Sequence, residues 1–171
     1  MTLVDSHCHL DYPGLVEDMP GVLARARAAG VGTLLTIGTR LSHFPRVQMI
    51  AETNDDVWCS VGVHPHEAAN ESADVARLIP LTRHPKVVGI GETGLDYFYD
   101  KSPREAQKAN FRAHLQAARQ SGLPVIVHTR DADSDTGDML EAVAGEGPLS
   151  GVLHCFTSSL ALARRALDIG F

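Results

Sequence analysis

Short, nearly unbroken apolar runs alternate along the chain with longer stretches in which apolar residues recur every three or four positions. The runs at 3–7, 32–37, 57–63, 87–91, 125–128 and 152–154 predict six β-strands. They lack the polar alternation of a half-exposed strand, as expected when helices cover a parallel sheet. The clearest helix is predicted over 103–121. There Ser102 is the expected N-cap, Pro103 fits the first helical position and Glu105 completes a capping box. Phe111, Leu115 and Ala118 share one face, Gly122 ends the helix and Pro124 prevents its resumption. An earlier helix places Met19, Val22, Leu23 and Ala26 on one face before Gly30.

Repeated strand–helix units imply right-handed crossovers and a parallel α/β fold. An open doubly wound sheet and a (β/α)8 TIM-type barrel both satisfy that pattern. No glycine-rich phosphate loop follows the first strand, whereas chemically distinctive residues follow several different strands. That distribution favours the barrel, with about six strand–helix units in the 171 residues. Neither an internal repeat nor a low-complexity linker divides the chain, so 1–171 reads as a single domain.

Composition narrows the class. Hydrophobic residues make up 44%, charged residues 21% and aromatics 5%, the profile of a soluble globular protein. The formal net charge of -6 gives no support to a broadly basic nucleic-acid-binding face. Bound metal ions or a local arginine cluster can still reverse the sign inside a cleft. Cys8, Cys59 and Cys155 are odd in number and lack C-x-x-C spacing, which argues for a reducing, cytoplasmic setting. Asp5, His7 and His9 interrupt the start of the chain where a signal peptide would need an apolar core, and no run is long enough to cross a bilayer.

The candidate chemistry lies where strands end. His7 and His9 are two residues apart at the close of the first strand, so both project to one face and Cys8 to the other. Glu92 follows the fourth strand, His128 ends the fifth and His154 ends the sixth. In a parallel barrel these ends open onto one mouth, where histidines and a carboxylate can hold divalent metal. Glu92 is expected to bridge two ions, one held by His7 and His9 and the other by His128 and His154. Such mixed ligation suits Zn, Mg, Mn, Fe or Ni. Arg130 lies two residues past His128, where it either grips a substrate phosphate or pairs with Asp131 or Asp133 at the surface. Cys8 and Cys155 are expected to pack away from the site, and His43, His84 and His114 to lie away from the mouth.

Five segments carry a family resemblance: 4–11 (VDSHCHLD), 62–66 (GVHPH), 91–97 (GETGLDY), 127–132 (VHTRDA) and 154–157 (HCFT). Together they resemble the TatD family of metal-dependent deoxyribonucleases, which belongs to the amidohydrolase-like barrels. The resemblance spans the whole chain in order and implies metal ligation by His7, His9, Glu92, His128 and His154. It implies a DNA substrate, single-stranded or at strand ends, with neither a membrane nor an obligate protein partner. It further implies that His64 contacts substrate or assists proton transfer, with Glu92 catalytic and His66 near the substrate. Asp96 and Tyr97 either shape the mouth or structure their loop.

Members of this family are expected to continue through a seventh and an eighth strand, the latter supplying an aspartate ligand. The present sequence ends at Gly170-Phe171, so it reads as the N-terminal portion of such a barrel. A metal-dependent hydrolase of ester, amide, lactone or aminoacyl bonds is the alternative enzyme, and an inactive truncated fragment is the alternative from another class.

Overall fold

A computed structural model describes residues 2–171. Six strands, β1 (Leu3–Cys8), β2 (Val31–Thr36), β3 (Val57–Val61), β4 (Val87–Asp96), β5 (Val125–Arg130) and β6 (Gly151–Leu153), form one parallel sheet in chain order. Five crossovers each carry one helix: α1 (Met19–Ala28), α2 (Phe44–Glu52), α3 (Val75–Leu81), α4 (Arg104–Ser121) and α5 (Asp133–Ala144); α6 (Leu160–Asp168) follows β6. The sheet curls as a TIM-type barrel does. His7 on β1 and His154 just after β6 stack with ring centroids 3.8 Å apart, although their strands stand at opposite ends of the hydrogen-bonded order. No helix among the described residues is long and apolar enough to cross a membrane.

Strand residues Leu34, Val57, Val61, Ile90 and Val125 form the core against Phe44 of α2, Leu78 of α3, Phe111 and Leu115 of α4 and Leu140 of α5. The expected apolar face of α4 is therefore the buried one. The expected burial of every strand fails at the rims: Leu3, Val4 and Val152 are largely exposed. β1 and β6 each pair with a single neighbour, which leaves their outer sides without a covering strand among the described residues. The capping box also fails. Pro103 is the N-cap of α4, and the Ser102 hydroxyl accepts from Ala69 N–H (3.0 Å) and donates to the His66 carbonyl (2.9 Å). Ser102 thus ties down the loop that carries His66, a tertiary role that outweighs the local one.

The decisive irregularity is in β4, which runs five residues beyond its predicted end. Ile90 pairs with Val125 and Thr93 with Val127, so β4 spends one residue more than β5 over that interval. This β-bulge re-aims the strand. The Glu92 N–H leaves the β4–β5 ladder and donates across the inside of the curl to the Gly38 carbonyl at 2.8 Å. The close approach needs glycine. Gly94 has φ +136°, and a Cβ there would collide with the His128 carbonyl; a Cβ on Gly62 would come within 2.6 Å of the Gly91 backbone.

His114 of α4 is fully buried, and its Nδ1–H donates to the Asn110 carbonyl at 2.7 Å. Its Nε2 accepts from Val63 N–H at 3.0 Å, which pins the chain immediately before His64. Burial pushes His114 down to about 4, the backbone hydrogen bond opposing only in part.

Two measurements check this scaffold. Gly94→Ala is expected to lower unfolding free energy by about 2–4 kcal/mol in urea melts, since both left-handed strain and overpacking act there. For His114 the folded pKa lies below the unfolded value, so the unfolded chain binds the extra proton. Stability is full above about pH 6.5 and falls as pH drops toward 4, by about 3 kcal/mol across that interval. His114→Gln should lack that component, and equal acid losses in both proteins would contradict the assignment.

Candidate metal centre

Five of the six strands, all but β2, deliver one cluster of imidazoles around a single carboxylate. Glu92 is only 3% exposed, delivered inward by the β4 bulge. Its Oε2 lies 3.2 Å from His7 Nε2 and 3.9 Å from His9 Nε2. Its Oε1 lies 2.7 Å from His154 Nε2, 3.2 Å from His128 Nδ1 and 3.4 Å from His64 Nε2. Burial alone would raise the Glu92 carboxyl; hydrogen bonds from His128, His154, His64 and His7 outweigh it and hold the group far below the usual carboxylate range.

Five ring nitrogens exceed what one carboxylate, with about four lone-pair directions, can accept. Protonating every ring would crowd like charges into a few ångströms. Neutral imidazoles sharing a divalent cation with the carboxylate remove both problems. Burial holds His9 and His64 below the ordinary imidazole range, against the opposing pull of Glu92, which favours the neutral form. The Nδ1 atoms of His7 and His9 are buried without a hydrogen-bond partner, so nothing in the surrounding protein dictates their tautomers. The donor set fits a metal.

Two neighbouring histidines turn opposite ring nitrogens to Glu92. His66 N–H donates to His64 Nδ1 at 3.1 Å, which leaves the His64 proton on Nε2, facing Glu92. His128 Nε2 donates to Asp96 Oδ2 at 2.9 Å, which leaves Nδ1 as the nitrogen facing Glu92. The rings lie 4.7 Å apart and turn opposite nitrogens to the carboxylate. Burial would lower His128, but Glu92 and Asp96 together raise it above the ordinary range. Asp96 Oδ2 also accepts from His66 Nε2 at 2.8 Å, while Oδ1 accepts from Tyr99 N–H at 2.8 Å. Asp96 therefore both orients the site and structures its loop.

His7, His9, His64, Glu92, His128 and His154 come together as the sequence suggested, with His66 joined through Asp96. The grouping differs from the expected one. His7 and His154 share one side of Glu92, and His64 and His128 share the other, because the curl brings β6 round to β1. Arg130 is not brought to the cluster, nor does it form an ion pair with Asp131 or Asp133. Its guanidinium lies over the rings of Tyr99 (5.3 Å) and Phe98 (5.5 Å) at the exposed rim.

A cavity of about 570 Å³ opens above the cluster, lined by Tyr12, Arg40, His43 and Arg46 among others. His43 is thus at the mouth after all. It closes the 3-10 turn Leu41–His43, well past the end of β2, so strand-end spacing gave no signal for it. A larger depression of about 800 Å³, beside Gly147 and Leu149, lies at the opposite ends of the strands and holds none of the clustered histidines. Cys8 packs inward, its thiol against the Leu35 carbonyl, but Cys155 is exposed rather than packed.

A curled parallel α/β sheet carrying a histidine-rich, carboxylate-centred site at its C-terminal mouth is the architecture of a TIM-type barrel with a candidate metal centre. The family model for TatD related DNase matches residues 4–171, and the chain belongs to that family. It is 43% identical over 176 residues to an uncharacterized metal-dependent hydrolase, YcfH, of Escherichia coli (strain K12), covering 100% of this chain and 65% of the relative. A relative described as the 3'-5' ssDNA/RNA exonuclease TatD of Klebsiella pneumoniae (strain 342) is 40% identical, over 90% of this chain and 59% of its own length. The crystal structure of a TatD homolog, YJJV, from Escherichia coli K12 superposes with TM-score 0.89 at 33% identity, covering 98% of this chain and 65% of that one. The chain thus spans about 65% of the length of the first curated relatives it matches.

The charge coupling at the centre gives a direct check. In metal-free protein, proton NMR titration should show His128 titrating above the ordinary imidazole range, and Asp96→Asn should move it down because one of its two carboxylate partners is gone. An unmoved His128 would contradict the pairing.

Proposed function

We propose that the full-length protein is a divalent-metal-dependent hydrolase that cleaves phosphodiester bonds of DNA, on single strands or at strand ends. The observation that carries this reading is the ring of imidazoles around buried Glu92, in which His64 turns Nε2 and His128 turns Nδ1 toward the carboxylate. His7, His9, Glu92, His128 and His154 would hold two metal ions. Divalent ions bound there would supply Lewis-acid polarisation of a phosphoryl oxygen and a lowered pKa for water.

The remaining steps belong to side chains. His64 Nε2–H donates a hydrogen bond to a phosphoryl oxygen or a proton to the departing oxygen, and the His66 backbone N–H keeps that proton on Nε2. Asp96 keeps His128 in its ligating orientation, the carboxylate–histidine arrangement that tunes many metal sites. His66 and Arg130 contact the substrate at the rim. The choice of phosphorus over carbonyl carbon is supported by the family description and by the Klebsiella relative's description as an exonuclease. Free cysteines suit a reducing cytoplasmic setting.

Full-length protein incubated with Mg, Mn or Zn should shorten 5'-labelled single-stranded DNA, and chelation should stop it. His128→Ala is expected to lose bound metal and turnover together. His64→Gln should keep its metal content while kcat falls about 100-fold, the usual scale for losing a proton-transfer group. Intact DNA alongside turnover of an ester, lactone or aminoacyl substrate would overturn the phosphodiester assignment.

A further inference from the structure

The loop that follows β4 carries two large rings that the described residues leave uncovered. Phe98 is 60% and Tyr99 52% exposed, more than any other Phe, Tyr or Trp ring among the described residues. They contact each other edge to face at 4.8 Å, so they form one surface rather than two scattered side chains. Arg130 lies over both rings, and Lys101 Nζ lies 5.6 Å from the Tyr99 ring. Neither cation has an ion-pair partner among the described residues, whereas nearby Arg104 pairs with Asp100 and Lys108 with Asp135. On a protein of net charge -6, this rim sets two cations without ion-pair partners among the described residues against aromatic faces.

The patch is coupled to the metal centre by geometry. The Tyr99 ring meets His66 edge to face at 5.6 Å, and the Tyr99 N–H is held by Asp96, whose other oxygen orients His128. A strand whose phosphate sat at Glu92 and His64 would therefore pass its next nucleotide over Phe98 and Tyr99. Rings with adjacent free cations match what an unpaired base and its phosphate present: a π-face to stack on and a negative charge to neutralise. A duplex would not offer that face, because its bases are already stacked.

We propose that Phe98 and Tyr99, with Arg130 and Lys101, form a stacking platform for an unpaired base of single-stranded DNA next to the scissile phosphate. This rests on the phosphodiesterase reading for its location, but it is a statement about binding and is testable without turnover.

The experiment is fluorescence anisotropy with full-length protein in EDTA, so that no cleavage occurs. One probe is a labelled ten-nucleotide oligo-dA; the other is an abasic deoxyribose-phosphate strand of the same length and charge. Wild type is expected to bind oligo-dA at least about tenfold more tightly than the abasic strand. The Phe98→Ala/Tyr99→Ala double variant should lose about tenfold on oligo-dA while its affinity for the abasic strand changes less than about twofold. Arg130→Gln should weaken both and reduce the salt dependence by about one phosphate contact. If the double variant folds poorly by its thermal midpoint, Tyr99→Trp carries the test. Its new indole fluorescence should be quenched by oligo-dA and not by the abasic strand, over the background from Trp58 in wild type.

Equal binding of the two probes by wild type, an unaffected double variant, or an unquenched indole would overturn the platform. Failure of the hydrolase reading looks different: base-dependent binding would persist while metal-loaded protein left the strand intact.

Discussion

A carboxylate that is 3% exposed and faced by five imidazoles imposes conditions on everything around it. Burial disfavours its charge, so the surrounding ring nitrogens must stabilise the anion, and they do so strongly enough to hold it ionised. Those nitrogens come from β1, from the ends of β3 and β6, and from β5, which meet only because the sheet curls. The curl alone would not suffice. The extra β4 residue at Gly91–Glu92 turns the Glu92 backbone toward Gly38, and glycines at 62 and 94 remove the side chains that would block the approach.

Around this centre the protein assigns roles by fixing protons. His64 and His128 are the same residue type, 4.7 Å apart, yet one backbone N–H and one carboxylate give them opposite faces. The supports reach well beyond the mouth. Buried His114 anchors the chain before His64, and Ser102, drawn away from capping α4, anchors the loop of His66. Function and stability therefore share residues on the β3–α4 side of the fold, where small losses of packing would be felt as misplaced hydrogen-bond donors.

The strand–helix rhythm, the α4 apolar face and the convergence of His7, His9, Glu92, His128 and His154 were legible in the sequence because each rests on local periodicity or on chain order, while His64 entered through the family resemblance. The misread features depend on which distant elements meet. Stacking of His7 on His154 follows from the degree of curl, which no local pattern encodes. Ser102 had the right neighbours for a cap, but a loop more than thirty residues earlier offered better partners. Arg130 had the right parity for the cluster, yet the strand ends there and two aromatic rings hold its guanidinium outward. His43 reaches the mouth from a 3-10 turn well past the end of β2, a placement that strand-end spacing does not encode.

The central claim is that Glu92 and the histidines around it form a divalent-metal centre. Anomalous diffraction from manganese-soaked crystals of the full-length protein tests it most directly. The predicted result is anomalous density about 2–2.5 Å from Glu92 oxygens, toward His7 and His154 on one side and His128 on the other. Well-ordered crystals soaked to saturation with no anomalous density against Glu92, or with manganese bound only elsewhere, would contradict it.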